Sequence, residues 1–146
     1  MDRLLAECKA DSGYNGYKSD GTSHKVLIID DAVFVRKQMK KILGDVGYEL
    51  VGEAENGKDG FDKFCVLQPT VVTLDITMPV MSGPVALEKI LKRDSSARVV
   101  MVSAMGSEDH VKQAILKGAK SFVVKPITMN NLKSFLRTIK NVAGNA

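Results

Sequence analysis

Short aliphatic runs of strand length alternate along this chain with stretches in which apolar residues recur every three to four positions. Val26-Leu27-Ile28-Ile29 is an uninterrupted apolar run, as expected for a strand covered on both faces. Val35, Met39, Ile42, Leu43 and Val46 then repeat at helical spacing and form one stripe. The unit recurs. Leu50–Ala54 predicts a second strand, and Lys58–Leu67 a helix turning Phe61, Phe64 and Cys65 inward, closed by Pro69. Val71–Leu74 predicts the third strand, and Pro84 suits the first turn of a helix that should end near Arg93. Val99–Val102 predicts the fourth strand, followed by a helix over about 108–117 with Ser107 as N-cap and Gly118 as its stop. Phe122–Val124 predicts a short fifth strand. Leu132, Phe135, Leu136, Ile139 and Val142 mark one side of a last helix, with Thr128 as its candidate N-cap. Five strands alternating with five helices predict an α/β domain around a parallel sheet.

Residues 1–24 break the pattern. Gly13, Gly16, Gly21, Ser12, Ser19 and Ser23 dominate a segment with few aliphatics after Leu5, too little apolar surface to offset the entropy of ordering it. The expectation is a mostly flexible N-terminal extension, with at most a short helix near Arg3–Lys9, ahead of a domain over 25–146. The sequence reaches Ala146 directly after the last predicted helix, so an effector domain is not expected.

Composition narrows the class. The 146 residues are 45% apolar and 26% charged, enough for one domain to bury a core without disulfides or a structural metal. No run approaches the ~18 apolar residues of a membrane span, and acids interrupt the N-terminus where a signal peptide would be apolar, so a cytoplasmic location is expected. Cys8 and Cys65 have no metal-ligand spacing and fit a reducing compartment. Net charge is +4, yet basic residues interleave with acids along the predicted helices and form no block with aromatics. Neither nucleic acid nor a membrane is expected as a partner.

Ligands of an open parallel sheet bind outside the carboxyl ends of its strands. Those ends carry Asp30-Asp31, Asp75, Ser103 and Lys125-Pro126. Three carboxylates converging on one crevice repel one another unless a cation stands among them, and oxygen-only ligands without His or Cys suit Mg²⁺. Lys125 adds a second positive charge, so that metal and lysine together could hold a dianionic phosphoryl group. Each residue also has an ordinary reading. Asp31 would serve as a helix N-cap, Asp75 and Ser103 as turn residues, and Lys125 as a surface lysine.

Taken together, these pieces resemble the receiver domains of two-component response regulators, and within them the single-domain chemotaxis type. The matching segments are Val26–Ala32, Glu55-Asn56-Gly57, Leu74–Gly83, Ser103–Gly106, and Gly118-Ala119-Lys120 through Lys125-Pro126. The resemblance implies a flavodoxin-like doubly wound sheet of order 2-1-3-4-5. It further implies that Asp75 accepts a phosphoryl group from a histidine kinase, and that Asp31, Asp75 and the Thr77 carbonyl ligate Mg²⁺, with Asp30 acting through water. Lys125 would pair with phosphoryl oxygens across a cis Lys125–Pro126 bond, and Ser103 would move to hydrogen-bond one of them. Phe122 would then rotate inward; a fixed core aromatic is the alternative.

Departures from the common family pattern lie at Thr77 and Met105, positions that tune hydrolysis, and at Phe122, which lacks a tyrosine hydroxyl. Lys117, Lys120, Lys133, Arg137 and Lys140 lie in or near the implied output surface and would favour an acidic partner, such as a flagellar motor switch peptide. A kinase and a phosphatase are the other implied partners. A small phosphohydrolase fits less well, because position 32 is Ala where a second acid would be wanted. A flavin carrier would set Asp30-Asp31 against the cofactor phosphate.

Overall fold

In the computed structural model, which describes residues 2–104 and 106–144, the first aliphatic run becomes the centre of a sheet. β1 (Lys25–Ile29) pairs in parallel with β2 (Glu49–Ala54) on one side and β3 (Val71–Leu74) on the other. β4 (Val99–Ser103) and β5 (Ser121–Val124) extend it, also in parallel, in the order β2-β1-β3-β4-β5. Helices cover both faces. Val26, Ile28, Val100 and Val102 enter a core shared with α2 (Val33–Asp45) and α6 (Leu132–Ala143). Leu27, Ile29, Val72, Leu74, Val99 and Met101 enter the opposite core, shared with α3 (Gly57–Leu67), α4 (Gly83–Arg93) and α5 (Glu108–Leu116). Each fully buried aliphatic side chain contributes about 1.5–3 kcal/mol, so the strands flanked by two cores are apolar on both faces, with Thr73 of β3 a buried polar exception.

Local chemistry sets the helix ends. Asn56 caps α3 by accepting from the Asp59 N–H at 2.9 Å, and Ser107 caps α5 by accepting from the His110 N–H at 3.3 Å. Pro84 occupies the first turn of α4. α6 departs from expectation. Its N-cap is Asn131, whose side chain accepts from the Thr128 N–H at 2.6 Å, so Thr128 donates to the turn and does not cap the helix.

The described residues contain six helices, not five. The additional helix, α1 (Asp2–Ala10), belongs to the segment expected to be flexible, and that segment is instead packed. Leu5 and Cys8 are 2% and 1% exposed and join the core formed by Met39 and Ile42 of α2 and Phe135 and Ile139 of α6. Beyond α1 the chain hooks back on polar contacts. The Gly16 N–H donates to the Val46 carbonyl at 3.0 Å, and the His24 N–H to the Gly16 carbonyl at 2.7 Å. A side chain at Gly16 would collide with Tyr48, its Cβ coming within 2.5 Å of that ring. The buried Lys140 of α6 donates to the Asn15 carbonyl at 2.9 Å, the Asn15 side-chain oxygen at 3.3 Å and the Tyr17 carbonyl at 2.6 Å. Apolar content alone underestimated the order of this segment, because hydrogen bonds to a distant lysine replace the missing aliphatics.

Candidate functional site

The strand order reverses between β1 and β3, and the crevice at their carboxyl ends gathers the acids. Asp30, Asp31 and Asp75 each offer a carboxylate oxygen within 4.8 Å of the others. Asp30 and Asp75 are buried, 2% and 6% exposed, whereas Asp31 faces solvent. Lys125 reaches in from the end of β5. Its Nζ donates to Asp30 Oδ2 at 2.8 Å and lies 3.6 Å from Asp75 Oδ2. Ser103, buried at the end of β4, accepts the Lys125 N–H through its carbonyl at 2.9 Å, which fixes the lysine backbone beside the neighbouring strand. The Lys125–Pro126 bond is cis.

The charges do not balance. Burial pushes the Asp75 carboxyl above its ordinary value, and neighbouring Asp30 pushes it further in the same direction. Lys125 and the Ile76 N–H, which donates to Asp75 Oδ1 at 2.8 Å, pull the other way without cancelling the rise. One ammonium against three carboxylates leaves the crevice in need of further positive charge. An all-oxygen donor set, two members of it buried, fits a hard divalent ion such as Mg²⁺. Asp30, Asp31 and Asp75 are the residues that would hold it.

Neither acid after β1 caps α2. The N-cap there is Ala32, without a side-chain bond, and Asp30 Oδ1 accepts the Ala32 N–H at 2.9 Å. Thr77 lies exposed in the β3–α4 connection. That connection is tightly shaped: Val80 adopts φ 66°, and the Met81 N–H donates to the Pro79 carbonyl at 2.7 Å, a γ-turn around a β-branched residue. Gly83 closes it, because any Cβ there would fall on the Asp75 carbonyl oxygen. Phe122, opposite Met101 across the β4–β5 ladder, is half-buried against the core. Met105 lies outside the described residues.

The expected basic output surface is partly spent. Lys140 is buried under the N-terminal hook, and Lys133 and Arg137 stand 5.4 and 5.0 Å from the Tyr14 ring, whose hydroxyl accepts from Arg137. Lys117 and Lys120 remain exposed. Sequence reasoning missed Arg36 and Glu53. Arg36 Nε donates to Glu53 Oε1 at 2.9 Å and its Nη1 to the Asp30 carbonyl at 2.7 Å. The signal was present: Arg36 stands in phase with Met39 and Leu43 on the buried stripe, and Glu53 interrupts the otherwise uncharged run Leu50–Ala54.

The fold and this acid-lined crevice define the class of protein, and sequence comparison agrees. Residues 26–137 match the response regulator receiver domain, and the chain belongs to that family. Among its relatives, the chemotaxis protein CheY of Treponema pallidum is 49% identical over 77% of this chain and 79% of its own length. CheY of Thermotoga maritima is 44% identical over 79% of this chain and 96% of its own. A solved CheX–CheY–BeF3–Mg complex from Borrelia burgdorferi superposes with a TM-score of 0.82 at 38% identity, covering 87% of this chain and 95% of that one. The chain is thus a receiver-type response regulator of the chemotaxis kind, a class of phosphoacceptor switches and not of classical enzymes. No helix among the described residues is long and apolar enough to cross a membrane.

Proposed function

We propose that Asp75 accepts a phosphoryl group from a histidine kinase of the chemotaxis type and that the modified chain switches its affinity for a flagellar motor switch protein. One observation carries this reading: a buried carboxyl, destabilised by its acidic neighbours, stands within reach of a single lysine at the strand ends. An ionised Asp75 oxygen attacks phosphorus, forming an acyl phosphate as the P–N bond of phosphohistidine breaks and the departing imidazole takes up a proton. Asp30, Asp31, Asp75 and the Thr77 carbonyl would hold Mg²⁺, which when bound supplies charge that offsets the phosphoryl oxygens.

The chain's own residues do the remainder. Lys125, already between Asp30 and Asp75, moves its donors onto a phosphoryl oxygen, and the Ser103 hydroxyl turns to another. In the β4–β5 ladder Ser103 pairs with Val124 and Phe122 with Met101, and drawing Ser103 inward would leave room for Phe122 to rotate inward. Pro126 follows that lysine and directs the chain into the turn before α6. Thr77, in the β3–α4 connection, would tune the lifetime of the acyl phosphate, as the family resemblance also implies for Met105, with a phosphatase shortening it. The setting is cytoplasmic.

Incubation with acetyl phosphate and Mg²⁺ should add one phosphoryl group, seen by intact mass, and Asp75→Ala should take up none. Equal uptake in that variant, or none in the unmodified chain, would overturn the assignment.

A further inference from the structure

Asp30 is buried beside a second carboxylate, and every polar group it has is tethered. Its N–H donates to the Ala54 carbonyl at 3.0 Å, Oδ1 accepts from the Ala32 N–H at 2.9 Å, and Oδ2 accepts from Lys125 at 2.8 Å. Its carbonyl accepts from Arg36 at 2.7 Å. Of these tethers, Lys125 is the one that the phosphoryl group would draw away. The Arg36 tether stays. It comes from a side chain 11% exposed whose other arm is bonded to Glu53 of β2 at 2.9 Å, and Glu53 is in turn bonded by Lys40 at 2.5 Å.

We propose that Arg36 is a positioning residue of the acid rim: its guanidinium ties the Asp30 main chain to Glu53 on β2 and so fixes where the Asp30 carboxylate stands before a cation arrives. The inference rests on the reading of the acid cluster as a cation and phosphoryl site. The physical need is like-charge repulsion. Carboxylates gathered within 4.8 Å push one another apart, and the loop from Asp30 to Ala32 has no side-chain cap at the start of α2 to hold it. A planar fork bonded at two separate atoms restricts both distance and direction, whereas a lysine ammonium would reach one partner or the other. Groups that orient ligands from behind typically change metal affinity by about 10–100-fold when removed.

The test compares Arg36→Met, Arg36→Lys and Lys40→Ala in the full chain, well below each unfolding temperature. Calorimetric titration with Mg²⁺ should show binding weakened about tenfold in Arg36→Met, by less in Arg36→Lys, and by under about twofold in Lys40→Ala. Amide exchange at Ala32, measured without metal, should quicken in Arg36→Met and not in Lys40→Ala. A merely structural role would lower the unfolding temperature and leave both readouts of the folded protein unmoved, which would overturn the proposal. If Arg36→Met does not fold, Glu53→Gln frees the same guanidinium and should move both readouts in the same direction; no movement there overturns it equally. If the unmodified chain itself binds no Mg²⁺ and accepts no phosphoryl group, the reading of the site fails. The exchange comparison still decides whether Arg36 holds the loop.

Discussion

Lys140 is buried and Lys125 partly buried, and their surroundings differ in kind. Lys125 stands among carboxylates at the strand ends, with Asp30 at 2.8 Å and Asp75 at 3.6 Å. Lys140 stands under the N-terminal hook among neutral oxygens of Asn15 and Tyr17, with no carboxylate partner among the described residues. At the rim negative charge is in excess, so the region gains from any added cation. Under the hook the lone ammonium is solvated by carbonyls, and burial alone pushes it below its ordinary value. A charge surrounded by opposite charge can be exchanged for a ligand. One surrounded by dipoles pins a segment in place.

Removing the Lys140 charge and removing an acid from the rim should therefore act with opposite sign, and the hook should show the larger effect. Lys140→Met leaves the buried Asn15 and Tyr17 carbonyls without their donor and should cost about 3 kcal/mol, lowering the unfolding midpoint by roughly 10 °C, measured by calorimetry. Trypsin should then cut within residues 11–24 of the folded variant. An unchanged midpoint would mean that the hook does not depend on its lysine.

A second effect comes from His24, whose Nε2–H donates to the Gly144 carbonyl at 2.8 Å while Nδ1 is buried without a partner. Burial holds this imidazole below its ordinary value, and nearby Lys140, Lys18 and Arg98 add to the effect. The unfolded chain then binds more protons than the folded one. Stability should be complete above about pH 6.5 and fall as pH drops through the window below it, by at most about 1.4 kcal/mol per pH unit. His24→Gln, which keeps a donor for Gly144, should flatten the slope in urea titrations between pH 5 and 7. A slope that persists would place the proton elsewhere.

The smallest effect belongs to the rim. The raised Asp75 carboxyl means that its ionised form is a burden at neutral pH, relieved as pH falls. Asp75→Asn without divalent ions should stabilise the protein by about 1 kcal/mol, some 2–4 °C. Added Mg²⁺ should raise the midpoint of the unmodified chain more than that of the variant. A destabilised Asp75→Asn would show that Lys125 already compensates the acids.

Much of this was legible in the linear pattern. β1, β3 and β4 announced themselves as apolar runs, interrupted within only by Thr73, because both of their faces are buried, and the acids fell at strand ends where a parallel sheet exposes a crevice. The hook was not legible. Its order depends on Lys140 meeting Asn15 across 125 residues, a contact that leaves no mark in local periodicity. Arg36 was hidden for a related reason: a charged residue in phase with an apolar stripe looks like an error in the stripe until Glu53 and the Asp30 carbonyl are seen on its far side. Likewise the basic residues of α6 read as part of an output surface for an acidic partner, and Tyr14 covers part of it.

Side-chain period and turn chemistry belong to neighbouring residues, so the order of strands and helices and the placement of acids at strand ends were settled by the sequence itself. Which lysine faces carboxylates, which faces carbonyls, and that a glycine-rich segment is packed and not loose were decided only in three dimensions. Those outcomes depend on the local dielectric and on partners brought together from opposite ends of the chain, and neither quantity is a property of any short stretch of it.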